Sequence, residues 1–121
     1  MLKRTLILGA SSNPERYSYK ATLSLDAKNH PVFPVGLREG KIGAHDILTN
    51  QPLIENIDTV TLYVGPKNQP VYYDYILKQI QPKRIIFNPG TENDELLNLA
   101  KQQGIETEVA CTLVLLSINQ Y

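Results

Sequence analysis

The chain has 121 residues, which suits one domain with a substantial core and leaves no room for separate binding and catalytic domains. Twelve basic residues balance twelve acidic ones, so the chain lacks the overall basic excess that is typical of nucleic-acid-binding proteins. No apolar run is long enough to span a membrane. The single cysteine, Cys111, excludes an internal disulfide and a multi-cysteine zinc site. Because the first residues do not resemble a cleaved signal, we expect a cytoplasmic protein.

Five apolar runs rich in β-branched residues predict strands. They cover residues 5–8, 32–35, 59–64, 84–87 and 107–109. Their near-continuous apolar character is typical of strands that are covered on both faces, as in a parallel sheet.

Helical patterns lie between several of these runs. Ser18 is the expected N-cap of a helix that continues to residue 28. A second helix is expected to begin near Asn68 and Pro70 and to end before Pro82. The buried stripe predicted for the first helix consists of Tyr19, Leu23 and Ala27.

Two further helices are predicted near the C-terminus. Thr91 and Asp94 approximate a capping box, and Gly104 suits the position after that helix. Residues 112–118 form the last apolar segment and predict a short helix.

Residues 36–56 are interrupted by glycine and proline, so we expect a loop there with at most a short helix or strand. The alternation of strands and helices predicts an α/β fold. The expected architecture is a Rossmann-like, doubly wound three-layer sandwich whose five-stranded, mainly parallel sheet has the order 3-2-1-4-5. Ligands of such sheets bind at the carboxyl ends of the strands.

The turn after the first strand has the layout of a phosphate-binding loop that leads into a helix. Two of the glycines of the dinucleotide fingerprint are absent, because Ser11 and Pro14 stand there. An ordinary strand–helix turn therefore remains an open alternative. The candidate ligand contacts in this turn are Gly9, Ser11, Ser12, Asn13, Arg16 and Ser18.

The residues at the end of the second strand argue against NAD as the ligand. NAD-binding domains place an acidic residue there for the ribose hydroxyls, whereas this chain has Gly36 followed by Arg38 and Lys41. The two cations suit a phosphorylated ribose, as in NADP or coenzyme A. A solvated charged loop is the alternative.

The remaining strand ends carry candidates of the same kind, and five such ends at one edge predict a ligand crevice. The third strand, which ends at Val64, is followed by Gly65 and Pro66, the fourth by Asn88, Pro89, Gly90 and Thr91, and the fifth by Cys111.

Four segments together resemble the small stand-alone CoA-binding proteins of bacteria, which are similar to the N-terminal domain of the succinyl-CoA synthetase alpha subunit. They are residues 9–19, 31–35, 88–93 and 111–112, and the resemblance covers essentially the whole chain. Many members carry an Asp-Arg pair before the cysteine, where this chain has Val109 and Ala110.

The resemblance implies a Rossmann-like domain with CoA or an acyl-CoA lying across the strand ends. The first turn would hold the pyrophosphate, and Gly36, Arg38 and Lys41 would meet the adenosine and its 3′-phosphate. Residues 64–66 would line the nucleotide, while residues 88–91 and Cys111 would lie towards the pantetheine arm.

No catalytic constellation is evident, so a binding module is the main hypothesis. Cys111 is either a nucleophile activated by a helix N-terminus or a small apolar residue of the core. A small NADP-dependent oxidoreductase and an interaction protein with a vestigial nucleotide crevice are the alternatives. In an interaction protein, a tyrosine-rich segment that comprises Tyr72, Tyr73 and Tyr75 would form the surface that contacts a second copy of the chain or another partner.

Overall fold

A five-stranded parallel sheet forms the middle layer of the computed structural model, which describes residues 1–121. Three of the predicted strands are confirmed at both ends, while the third ends earlier than expected, at Leu62, and the fifth begins earlier, at Glu106. Residues 41–42 and 45–46 form a separate two-stranded hairpin. In chain order the strands are β1 (Thr5–Leu8), β2 (Val32–Val35), β3 (Lys41–Ile42), β4 (His45–Asp46), β5 (Thr59–Leu62), β6 (Arg84–Phe87) and β7 (Glu106–Val109).

The Rossmann-like α/β class is confirmed, but the expected strand order 3-2-1-4-5 was wrong. The sheet has the order β2-β1-β5-β6-β7, so the third main strand lies beside β1 and β2 is at the edge. Pro34 gives the physical reason, because proline has no N–H for a ladder bond and is confined to edge strands. Beyond β2 there is only a single bridge, in which the Leu48 N–H donates to the Pro34 carbonyl at 2.9 Å.

This order places the switch point of the sheet between β1 and β5. The helix that follows β1 packs on one face of the sheet, with Leu25 in its core cluster. The segment that follows β5 packs on the opposite face, where Tyr75 and Ile76 are buried. Chains that leave adjacent strand ends towards opposite faces open a crevice between them, which is where ligands of doubly wound folds bind.

Each face of the sheet has its own apolar core. Leu6 and Val60 belong to the larger cluster, and Ile7 to the smaller one, because neighbouring residues of a strand point to opposite faces. All three side chains are fully buried. Each such side chain stabilises the fold by roughly 1.5–3 kcal/mol.

The first helix, α1 (Tyr17–Ala27), begins two residues before its expected start. Its N-cap is Arg16, so the prediction that Ser18 caps it was wrong; Ser18 is buried in the first turn. The predicted stripe was also wrong, because small side chains allow close packing of α1 and the buried face consists of Ser18, Ala21, Thr22 and Leu25.

The helical segment after β5 is irregular. It contains two 3₁₀ turns, Pro66–Asn68 and Pro70–Tyr72, followed by a π-helix over Tyr75–Ile80. Gln81 ends it in the left-handed conformation, next to the proline predicted to stop it. Tyr75 is 1% exposed and its hydroxyl donates to the Pro52 carbonyl at 2.6 Å, so it belongs to the core and not to a partner face.

The last two helices are α2 (Asp94–Gln102) and α3 (Thr112–Ser117). The expected capping box was wrong, because Asn93 is the N-cap of α2 and its side chain accepts the Glu95 N–H at 3.0 Å. Residues 36–56 were expected to be a loop with at most a short helix or strand, and they are a loop interrupted by the two short strands of the β3–β4 hairpin. Ile42, which is fully buried, holds this hairpin. None of the helices is both long and apolar enough to cross a membrane.

Candidate ligand site at the carboxyl ends of the strands

The turns after β1, β2 and β5 pack directly on one another through glycine. Gly9 has a φ of +98°, and a Cβ there would lie 2.8 Å from the carbonyl oxygen of Tyr63. A Cβ on Gly36 would collide with the carbonyl oxygen of Ala10. Glycine at both positions therefore lets three strand-end turns meet at the switch point, as the sequence predicted for a crevice.

Two side chains of the first turn are used to shape the turn itself. The Asn13 N–H donates to Ser11 Oγ at 3.1 Å, and the Glu15 N–H donates to Asn13 Oδ1 at 3.0 Å. Such local bonds fix the turn and occupy oxygens that the sequence offered as ligand contacts. Ser12, in contrast, is exposed and makes no side-chain hydrogen bond within the protein.

The first turn leads into the positive end of the α1 dipole. Arg16 makes no capping side-chain bond, and no acidic residue lies in the first helical turn. The Arg16 guanidinium is exposed and forms no ion pair. An uncapped helix N-terminus beside a free arginine is an arrangement that favours anions.

The loop after β2 brings two cations to the same edge. Arg38 is exposed and unpaired, whereas the Lys41 ammonium lies 2.9 Å from Asp46 Oδ1. Both members of that pair are about 70% exposed, so the pair is weak and Lys41 can exchange partners. A Cβ on Gly40 would lie 3.0 Å from Ser12, which places this loop against the first turn.

A groove of about 260 Å³ opens beside these loops. Leu37, which is 86% exposed, and Val71 give it apolar walls, and Gln51 supplies a carboxamide. None of these three residues was a sequence candidate. The one sequence signal that could have indicated the groove was an isolated leucine, Leu37, in a polar loop. The groove is lined by Val35, Gly36, Leu37, Asn50, Gln51, Val71 and Tyr72.

The residues after β5 lie against the first turn. Val64 lies close to Gly9, since a Cβ on that glycine would be 3.1 Å from Val64 Cγ2. Gly65 is exposed and has free space around it, and Pro66 begins the first 3₁₀ turn. These three candidates therefore share one surface with the first turn.

Asn88 and Thr91 have side chains that are used inside the protein. Asn88 Nδ2 donates to Thr61 Oγ1 at 2.8 Å, and Asn88 Oδ1 accepts the Thr112 N–H at 2.9 Å. The Thr91 hydroxyl donates to the Asn88 carbonyl at 2.7 Å. Both residues are buried, so they connect strand ends to one another, and only Pro89 and the left-handed Gly90 between them are exposed.

Gln69 is a structural residue that the sequence did not single out. It is fully buried, and its Nε2 donates to the carbonyl oxygens of Val64 at 2.8 Å and Thr91 at 2.7 Å. Its Oε1 accepts from Asn93 Nδ2 at 2.8 Å. Gln69 thus holds the loops after β5 and β6 in fixed relative positions.

Cys111 lies at the far side of the same edge. It is the N-cap of α3, is partly exposed and makes no capping side-chain bond. The neighbouring Tyr63 hydroxyl is buried without a hydrogen-bond partner, and burial raises the pKa of Tyr63 to about 12. No cluster of three histidine, cysteine or acidic side chains suitable for a metal ion is present.

The two histidines do not join this site. His30 precedes β2 and is buried at the opposite edge of the sheet. His45 lies in the hairpin, with its Nε2 3.1 Å from Asp26 Oδ1.

The sequence matches the family model described as a CoA binding domain over residues 3–117. The chain belongs to this CoA-binding domain family. The resemblance noted from residues 9–19 and 88–93 is thereby confirmed at the level of the family. No curated protein matches the chain.

Solved structures agree with the fold of a CoA-binding domain. The crystal structure of an uncharacterized protein is 46% identical, with a TM-score of 0.97 over 100% of this chain and 99% of that chain. Two others share the fold at lower identity. The cell-free ID.343 protein of Thermus thermophilus is 18% identical (TM-score 0.83, covering 98% and 91% of the two chains), and a hypothetical protein from Pyrococcus horikoshii OT3 is 24% identical (TM-score 0.81, covering 93% and 80%).

Proposed function

We propose that the protein binds CoA or an acyl-CoA at the carboxyl edge of its sheet, in the cytoplasm, without a catalytic step of its own. The observation that carries this proposal is the convergence of three strand-end turns at the switch point. Gly9 and Gly36 stand where a side chain would collide with neighbouring backbone, and the uncapped start of α1 lies beside them. This cradle fits a pyrophosphate that is held by backbone N–H groups and a helix dipole.

The cations at the edge suit the remaining phosphate of CoA. Arg38 is free, and Lys41 is held only by an exposed ion pair, so both can meet the 3′-phosphate. Arg16, beside the first turn, suits the pyrophosphate. The groove next to Gly36 then accepts the base, and the pantetheine arm extends towards Pro89, Gly90 and Cys111.

The ligand supplies a thiol that carries an acyl group as a thioester. The chain's own residues hold the nucleotide portion, and the buried network of Asn88 and Gln69 keeps the surrounding loops in place. The protein thereby presents or stores the ligand.

Titration calorimetry against CoA, acetyl-CoA, 3′-dephospho-CoA, NADP and NAD tests this function. We expect CoA to bind, 3′-dephospho-CoA to bind more weakly because Arg38 and Lys41 lose their partner, and NAD not to bind. Binding of NADP alone would support an oxidoreductase-like protein instead. Absence of binding by all five ligands would contradict the proposal.

A pair of matched variants locates the phosphate. Arg38→Ala should weaken CoA binding by about tenfold, as expected for one lost charge-assisted contact, and leave 3′-dephospho-CoA binding unchanged. Lys83→Ala removes an exposed cation at the opposite edge of the sheet and should change neither affinity. Equal effects of both substitutions would mean that only the overall charge matters.

A further inference from the structure

The groove beside β2 is bordered by backbone in an unusual conformation. Asn50 and Gln51 are consecutive non-glycine residues with φ values of +62° and +51°. The left-handed region is sparsely populated by such residues, and it recurs where a protein holds a ligand. This conformation sets the position of the Gln51 side chain, which is one of the polar groups lining the groove.

The Gln51 carboxamide is only partly engaged by the protein. Its Nε2 donates to the Val71 carbonyl at 3.2 Å, across the groove from the loop that carries it. That contact orients the amide plane. The second N–H and the Oε1 of the same carboxamide have no partner in the protein, so a donor and an acceptor remain available side by side.

We infer that Gln51 is a specificity-determining residue that recognises adenine in this groove. The inference rests on the proposed function, because it names the base of the nucleotide bound at that site. Adenine presents an amino donor next to a ring-nitrogen acceptor, and a glutamine carboxamide satisfies both at once. Guanine presents two acceptors at the corresponding edge, so it would bring its O6 against Gln51 Oε1.

The walls of the groove suit the faces of a planar base. Leu37 and Val71 are exposed apolar side chains on the two loops that border it, and Tyr72 is half-buried between them and the core. The volume of about 260 Å³ is large enough for one planar base. Gly36 lines the groove and packs against the Ala10 carbonyl of the first turn, so a base bound in the groove would lie next to a phosphate bound at that turn.

The test compares CoA with 1,N6-etheno-CoA, which has the same phosphates and pantetheine but lacks the adenine amino hydrogens. Calorimetry on the wild-type protein should show CoA binding about tenfold more tightly than the etheno analogue, the size expected for one bidentate base contact. In Gln51→Leu, CoA affinity should fall by about tenfold and etheno-CoA affinity should stay unchanged, so that the preference disappears.

Val71→Ala is the matched control. It removes part of an apolar wall while leaving its backbone carbonyl in place, so it should weaken CoA and etheno-CoA equally. If leucine in the left-handed conformation impairs folding, Gln51→Asn tests the same point, because asparagine tolerates this conformation and its carboxamide is one methylene shorter.

The outcomes separate the two proposals. If neither CoA nor etheno-CoA binds the wild-type protein, the proposed function fails. If CoA binds but Gln51→Leu weakens both ligands equally, or changes neither, CoA binding stands and the role of Gln51 in base recognition is overturned.

Discussion

The side-chain amide of Gln69 donates to the carbonyl oxygen of Thr91 at 2.7 Å, and so connects the loop after β5 to the loop after β6. The same amide nitrogen also donates to the Val64 carbonyl at 2.8 Å. One fully buried glutamine therefore satisfies two backbone acceptors that no secondary structure pairs. The edge that carries the candidate site is held together by this polar contact as well as by apolar packing.

Gln69→Leu should destabilise the protein by about 2–4 kcal/mol, because the buried Thr91 carbonyl and the partly buried Val64 carbonyl lose their donor, and Asn93 Nδ2 loses one of its two acceptors, while the side-chain volume changes little. Urea unfolding followed by circular dichroism measures the effect. Gln79→Leu, at an exposed position of the π-helix, is the matched control and should change stability by less than about 0.5 kcal/mol. Similar losses in both variants would show that the Gln69 contacts contribute nothing.

Gly36→Ala should destabilise the fold by about 1–3 kcal/mol, because the new methyl group would collide with the Ala10 carbonyl and force the two turns apart. Gly65→Ala provides the comparison, since a Cβ there meets nothing within 4 Å and the backbone has an ordinary φ of −63°. Chemical unfolding of the two variants should therefore differ clearly. A neutral Gly36→Ala would mean that the turns can separate without cost.

Strands were the most predictable part of this fold. Each buried strand is a short run of apolar β-branched residues bounded by turn residues, which is a local signal. The strand order depends on contacts between residues distant in sequence, so no local pattern encodes it. The one clue is Pro34 in β2, because proline indicates a strand that has an edge without a partner. The stripe of α1 failed for a similar reason, because Ala21 and Thr22 are buried by virtue of their small size and not of their hydrophobicity.

The candidate site was predictable as a place but not as a set of contacts. Residues that follow strands must meet at one edge, and the turns at Gly9 and Gly36 do so. Whether a polar side chain there is free depends on partners distant in sequence. Asn88 is bonded to Thr61, 27 residues away, and no pattern around either residue indicates that pair.

Asp46→Asn should increase the preference of the protein for CoA over 3′-dephospho-CoA. The substitution releases the Lys41 ammonium, now 2.9 Å from Asp46, for the 3′-phosphate. Because exposed ion pairs contribute about 0–1 kcal/mol, the ratio of the two affinities should rise by no more than about fivefold. Calorimetry at low salt measures it.

Asp74→Asn is the control for that experiment, since it releases an equally exposed lysine, Lys78, on the π-helix. It should leave the ratio of affinities unchanged. If Asp46→Asn also leaves the ratio unchanged, Lys41 does not contact the phosphate.

His30 should make the stability of the protein depend on pH. Its Nδ1 accepts the backbone N–H of Lys3 at 2.9 Å, which requires that nitrogen to be unprotonated. Burial lowers the pKa of His30 below its ordinary value of 6.5, and the nearby charges of Lys3, the N-terminus, Lys28 and Arg84 lower it further. Its only aromatic neighbour, Tyr121, contacts the imidazole edge-on, and the uncharged tyrosine ring does not offset the effect of these positive charges.

The folded protein consequently binds fewer protons than the unfolded chain below pH 6.5. The stabilising contribution of neutral His30 is complete above pH 6.5 and is lost as the pH falls below it, by at most about 1.4 kcal/mol per pH unit. Urea unfolding at intervals from pH 7.5 to 5.5 should show this decrease in the wild-type protein and in His45→Gln. In His30→Gln, which can still accept the Lys3 N–H through its amide oxygen, the decrease should disappear; an unchanged slope would show that another group titrates in this range.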